Sequence, residues 1–292
     1  MGEGRNLTWG VLAALLAGAA IVPASAAQGA GDALERGRYL METVMACRGC
    51  HDEPDGARRA LAGGARFSQD GVAFGAAPNI TPDRETGIGR WSDAGIIRAI
   101  REGVRPDGSY LGPVMAFDMY RRISDGDMHA IVAYLRSMPP VRNMVPRTAW
   151  RTPRRTPYGP PAGHVPDPPR TDRVTYGAYL AGPLAECVAC HTPYGSDGRP
   201  DYAHRLGAGG TSFETPRGEA IAGNITPDRD TGLGDFTVTQ IKSMIVSGVR
   251  PNYSRANPVM PHRRFAGLAP EDLDAIVAYL RALKPVRNMI DK

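Results

Sequence analysis

The sequence predicts an all-α protein in which one helical unit is written twice. The chain aligns with itself along nearly its whole length, each copy holds three stretches with apolar residues at helical spacing, and neither cysteine motif sits in strand periodicity. Residues 35–51, ERGRYLMETVMACRGCH, match 175–191, TYGAYLAGPLAECVACH, at a separation of 140. NITPDRETGIG from Asn79 matches NITPDRDTGLG from Asn224, and HAIVAYLRSMPPVRNM matches DAIVAYLRALKPVRNM, both at a separation of 145. The second copy therefore carries a net five-residue insertion, expected around Tyr194 to Arg205.

At 292 residues the chain is long enough for two domains, and its 26 prolines and 35 glycines call for long loops. Residues 1–26 read as an export signal: a basic start, a short apolar run and Ala24-Ser25-Ala26 as a cleavage site. The uncleaved alternative needs about 20 apolar residues, and this run is shorter. The first unit is placed at 31–147. Its first helix runs from about Asp32 into the cysteine motif; the second follows Ser92 as cap, with Ile96, Ile97 and Ile100 on one face. The third begins among acidic side chains before HAIVAYLR and stops before Pro139.

Residues 148–170 read as a Pro/Arg-rich linker, extended and semi-rigid. All the excess positive charge of the chain falls in residues 139–173, which contain this linker, and it suggests docking to an acidic partner or an anionic membrane surface, or else a spacer kept soluble by arginines. The second unit, 171–292, repeats the three helices. Thr237 and Gln240 form a capping box at the second, and Pro285 follows the third.

All four cysteines lie in two C-x-x-C-H motifs: Cys47, Cys50 and His51, then Cys187, Cys190 and His191. That spelling is a c-type haem attachment site, in which two thiols hold the macrocycle edge and the next residue brings an imidazole to iron. Zinc ribbons separate their pairs by about 15–20 residues, and a thioredoxin-like site uses one pair in a βαβ setting. Two covalently attached c-type haems are thus the expected cofactors.

The residue on the other face of each iron separates electron carriage from chemistry, and a methionine there marks the carrier. If both copies fold alike, the ligand should recur at 145. Met115 with Met260 and Met144 with Met289 meet that test. Met115 and Met260 lie in irregular loops before the last helix and are the expected iron ligands, with His51 and His191 opposite. The competing ligands, His129 and His262, do not recur.

With C-x-x-C-H, NITPD, TGIGRWS, GVRPDG and the PVM loop in view, the chain resembles tandem class I c-type cytochromes, similar to the cytochrome subunits of periplasmic alcohol, aldehyde and sugar-acid dehydrogenases. The resemblance implies two tandem class I cytochrome c domains, each about three main helices around its haem. Those subunits commonly carry three haem motifs, whereas this chain has two. Trp91, a possible donor to a haem propionate, is Phe236 in the second copy, so the two potentials are expected to differ. Asn79, Asn224, Arg105 and Arg250 are weaker candidates for propionate contact.

The implied role is a periplasmic electron-transfer protein without catalytic residues of its own. Its expected partners are a dehydrogenase and a terminal oxidase or another cytochrome, with membrane-surface association possible and no nucleic acid. The alternatives are a haem enzyme, such as a peroxidase or a small-sulfur-compound dehydrogenase, and a gas sensor with an open iron.

Overall fold

The computed structural model describes residues 1, 24–54, 59–67, 72–215 and 218–290. Positions 2–23, and with them most of the expected export signal, lie outside the described residues. Among the described residues no helix is long and apolar enough to cross a membrane.

In each half the first helix widens before the cysteine motif. α1 (Ala24–Tyr39) runs into a π-helical turn over Leu40–Val44, and α2 (Cys47–His51) follows. After the linker, α6 (Arg173–Tyr179), a π-turn over Leu180–Leu184 and α7 (Cys187–Cys190) repeat the pattern. The Asp172 carboxylate caps α6, accepting from the Val174 and Thr175 amides at 3.1 Å each. The π-turns bury Leu40, Met41, Val44, Leu180 and Leu184, which fixes how each cysteine motif leaves the core.

α3 (Asp93–Glu102) and α8 (Val238–Ser247) start as expected. The Ser92 hydroxyl caps the first, the Thr237–Gln240 capping box closes the second, and left-handed Gly103 and Gly248 end them. The last helices, α5 (Asp125–Ser137) and α10 (Pro270–Ala282), pack across α1 and α6. Glycine is required at those crossings. A β-carbon on Gly37 or Gly177 would lie 1.9 Å from the carbonyl oxygen of Ala130 or Ala275. Short α4 (Phe117–Tyr120) and α9 (His262–Phe265) follow the two methionine loops.

The structure departs from an all-α fold in two small antiparallel sheets. β1 (Val72–Phe74) pairs with β2 (Ala149–Trp150), and β3 (Ser212–Thr215) with β4 (Gly218–Ile221). Three of these strands lie between cysteine motif and NITPD, where short apolar-polar alternation escapes a search tuned to helices. β2 lies in the linker, which is therefore no free spacer. Thr148 donates to the Ala76 carbonyl at 3.0 Å, Tyr158 to that of Leu111 at 2.8 Å, and Val165 accepts from the Asp125 amide at 2.9 Å. Prolines that remove backbone donors leave carbonyls and aromatic rings with which the segment docks onto the first half.

The two halves meet through a reciprocal pair of bonds. Tyr39 donates to Asp272 and its repeat equivalent Tyr179 donates to Asp127, each at 2.8 Å. Each phenol oxygen also accepts a backbone amide from the opposite half, Ala269 and Ser124, at 3.1 Å. A repeated pair exchanging the same contacts is the signature of pseudo-two-fold packing. The insertion falls where expected. The Gly63 amide bonds the His51 carbonyl and that of Gly209 bonds His191, so the gain arises between His191 and Gly209.

Candidate functional site

α2 and α7 hold each cysteine pair one turn apart, with Cys47 and Cys187 half-buried and Cys50 and Cys190 exposed. Burial pushes the Cys47 and Cys187 thiols up to about 12, and the Glu186 charge adds to both. Such thiols stay protonated near neutral pH. Among the described residues no group of three or more His, Cys, Asp or Glu could hold a metal ion, so the two pairs do not share one tetrahedral site.

Each motif histidine is fixed by its ring nitrogen. His51 Nδ1 lies 2.9 Å from the Pro78 carbonyl oxygen, and His191 Nδ1 lies 2.7 Å from that of Gly223. A carbonyl can only accept, so Nδ1 carries the proton and the Nε2 lone pair is free for a metal. Burial lowers both imidazoles below their usual value, which keeps them in this neutral, ligating form.

Those carbonyls belong to loops that are themselves braced. Asn79 donates to Thr86 at 3.0 Å and to the Val141 carbonyl at 2.7 Å, and accepts from the Thr81 amide and hydroxyl at 2.9 and 2.7 Å. Asn224 makes the same four bonds with Thr231, Val286 and Thr226. Asn143 and Asn288 donate to the Ala62 and Ala208 carbonyls at 2.9 Å, which explains the repeated VRNM. Asn79 and Asn224 are buried and fully engaged, so they brace loops rather than reach a propionate. Arg105 and Arg250 bond the Tyr110 and Arg255 carbonyls at 2.8 Å and close their own turns.

In the second half an apolar cleft brings Cys187, His191 and Met260 together, walled by Ile225, Ile245 and Phe265. A thiol at the edge, an imidazole, a thioether and aliphatic walls are the donor set and lining that a haem needs. In the first half Cys47 and Met115 pack against the core, and His51 is buried. Met144 and Met289, the rival pair, are 75% and 72% exposed. His129 is exposed and its Nδ1 bonds the Asp125 carbonyl at 2.7 Å. His262 takes the place of Phe117, packing on Gly248 as Phe117 packs on Gly103, and its Nδ1 is buried without a hydrogen-bond partner. Trp91 and Phe236 both pack against the core.

Glu186 escaped the sequence reading, because its repeat counterpart is Ala46. It stands beside Cys187, accepts a hydrogen bond from Tyr120 and acts electrostatically on Cys47 and Cys50, so it lies between the two attachment motifs. Burial raises its carboxyl above the usual range. The Arg264 guanidinium, which bonds the Met45 carbonyl at 2.7 Å, opposes that rise.

Comparison with known proteins agrees with this geometry. The cytochrome c family profile matches residues 176–284. The chain is 31% identical over 310 positions to the diheme cytochrome c-type protein of Cereibacter sphaeroides, spanning 97% of this chain and 99% of that one. It is 31% identical over 305 positions to the cytochrome c subunit of alcohol dehydrogenase (quinone) of Gluconobacter oxydans, covering 95% of this chain and 60% of that protein. It is 35% identical over 266 positions to one of the nicotinate dehydrogenase subunits of Pseudomonas putida, covering 86% of this chain but 21% of that protein. The chain thus spans less than two thirds of these two dehydrogenase subunits.

Proposed function

The chain belongs to the c-type cytochrome family, and from that premise we propose an exported di-haem electron carrier of two tandem class I domains. It takes electrons one at a time from a periplasmic dehydrogenase and passes them to a downstream carrier or terminal oxidase. Export to the periplasm follows from the leader-like residues 1–26. The cleft that gathers Cys187, His191 and Met260, with the same residue types repeated at Cys47, Cys50, His51 and Met115, carries this reading. The cytochrome subunits among its relatives support the dehydrogenase as donor.

A bound haem supplies one-electron chemistry at iron. The protein's own work is to hold and shield it. Cys47, Cys50, Cys187 and Cys190 would anchor it through thioethers. His51 and His191, held by the Pro78 and Gly223 carbonyls, would offer Nε2 to its iron, and Met115 and Met260 would offer their sulfur. The braced asparagine loops keep the histidine ring from turning, so the donor set changes little between oxidation states. The cleft's apolar walls keep water from the site.

The test is a haem count with Met115→Ala and Met260→Ala. Two covalent haems per chain are expected, and each substitution should remove the sulfur-to-iron absorption band of one haem while leaving the other's intact. A count below two, or bands untouched by both substitutions, overturns the reading. Carbon monoxide binding to the reduced wild type, or turnover with peroxide, would move it to the sensor or the enzyme.

A further inference from the structure

The two methionine loops hold their sulfur atoms alike but face their surroundings differently. Residues 236–270, which enclose the Met260 loop, contain five basic residues and no acidic one. The equivalent stretch of the first half, 91–125, contains five of each. Of the five, Lys242 pairs with Asp274 at 2.6 Å and Arg264 reaches across to Met45. Arg250, Arg255 and Arg263 are exposed, and among the described residues no carboxylate pairs with them.

Tyr253 makes the apolar side of this face unusual too. It is 88% exposed, whereas Val259, at 49%, matches its counterpart Val114 at 42%. Tyr253 stands where the first copy has Gly108, in the same left-handed conformation, φ 62° against 80°. An aromatic residue held there is strained where glycine is not, and its ring gains no burial in return. In the first half the linker lies along the corresponding flank. Trp150 packs so closely on Gly112 that an added β-carbon would sit 1.6 Å from its ring, the Tyr158 ring lies 4.6 Å from that of Phe117, and Arg147 pairs with Asp107 at 3.0 Å.

We propose that the second half's Met260 face, with Arg250, Tyr253, Arg255, Val259 and Arg263, is the docking site for a redox protein with an acidic surface, and that the linker reserves the first half's face from that role. The inference rests on the electron-carrier reading and names where the carrier meets its partner. An exposed aromatic and aliphatic centre ringed by unpaired arginines matches the anatomy of a transient interface. The carboxylates of the partner supply the charges that this face lacks. The linker's positive charge, by contrast, is partly consumed within the molecule: Arg154 lies 3.9 Å over the Tyr158 ring and Arg170 lies 5.0 Å over that of Tyr176.

The test uses the reduced di-haem protein and two oxidants, an acidic cupredoxin as protein probe and a neutral quinone as control. Arg255→Glu/Arg263→Glu should slow oxidation by the cupredoxin about tenfold or more at low salt, within the range that electrostatic steering spans. The gap should close as salt rises and screens the charges. Tyr253→Ala should slow it at every salt concentration. Arg151→Glu/Arg155→Glu, in the linker, should stay within about twofold of wild type, and the quinone should oxidise every variant alike. If the cupredoxin rate is unchanged in Arg255→Glu/Arg263→Glu, or falls equally in the linker variant, the proposal is overturned while quinone oxidation still upholds the carrier. If the quinone cannot oxidise the reduced wild type, the carrier reading itself fails. Sedimentation of the wild type with phosphatidylglycerol vesicles, lost in Arg255→Glu/Arg263→Glu, would assign the face to a membrane and likewise overturn it.

Discussion

The first and second halves agree at the side chains that brace the site and hold the halves together, and differ most at the surface. Histidine Nδ1 on a carbonyl, asparagine with four bonds, glycine at the helix crossing and phenol on the opposite carboxylate all recur. Arg36 has become Tyr176, Ala46 has become Glu186, and the face around Asp107 has become the acid-free face around Asn252. A duplicated unit keeps the contacts that any haem site requires and is free to diverge at surfaces that only one copy needs.

The helix crossing tests the shared interior most severely. Gly37→Val and Gly177→Val each force a branched side chain against a carbonyl 1.9 Å from the first added carbon, and each should cost about 3 kcal/mol or more. Denaturant unfolding of the haem-loaded protein should show equal losses to within about 1 kcal/mol. A loss in one half alone would mean that the crossings are not equivalent. Next come Asn79→Ala and Asn224→Ala. Each strands buried partners on Thr81 and Val141 or on Thr226 and Val286, at about 2 kcal/mol apiece.

Much of this was legible in the sequence, for reasons that differ by element. The Ser92 cap and the capping box at Thr237 are local, so neighbouring residues announce them. That Met260 shares a cleft with Cys187 and His191 could be anticipated because duplication turned a long-range contact into a repeated letter. The docked linker was not legible: proline content predicts extension, but whether an extended segment lies on a surface depends on Trp150 meeting Gly112 and Tyr158 meeting Leu111, far away in sequence. Glu186 was invisible because the repeat offers it no partner, and Asn79 misled because an amide facing a haem and an amide bracing a loop are spelled alike.

The reciprocal phenols sharpen the comparison at the boundary. Asp127 keeps Arg36 in two bonds, at 2.7 and 2.9 Å, when Tyr179 loses its hydroxyl. Asp272 has Arg36 only at 4.0 Å, so it is left nearly alone when Tyr39 loses its own. Tyr39→Phe should therefore cost about 1.5 kcal/mol, as for a hydrogen bond to a charged group, and Tyr179→Phe about 0.5 kcal/mol, as for an ordinary one. Equal costs would show that Arg36 does not distinguish the two carboxylates.

The smallest effect concerns the one carboxylate that burial has placed beside the second motif. Burial is the main cause that raises Glu186, Asp118 adds to it, and the Tyr120 hydroxyl and Arg264 act against it. A carboxyl raised on folding binds its proton more tightly in the folded state. Its contribution is therefore fully present below the ordinary glutamate value of about 4.3 and is lost as pH rises through the higher folded value. Glu186→Gln removes the charge and keeps an oxygen to accept from Tyr120. The variant should match wild type at about pH 3, where glutamic acid is neutral in both states, and be modestly more stable at pH 8. Parallel unfolding curves across that range check the sign. If the difference does not change with pH, the carboxylate is as well solvated in the fold as in the unfolded chain; if the variant loses stability as pH rises, Tyr120 and Arg264 outweigh the burial between the two attachment motifs.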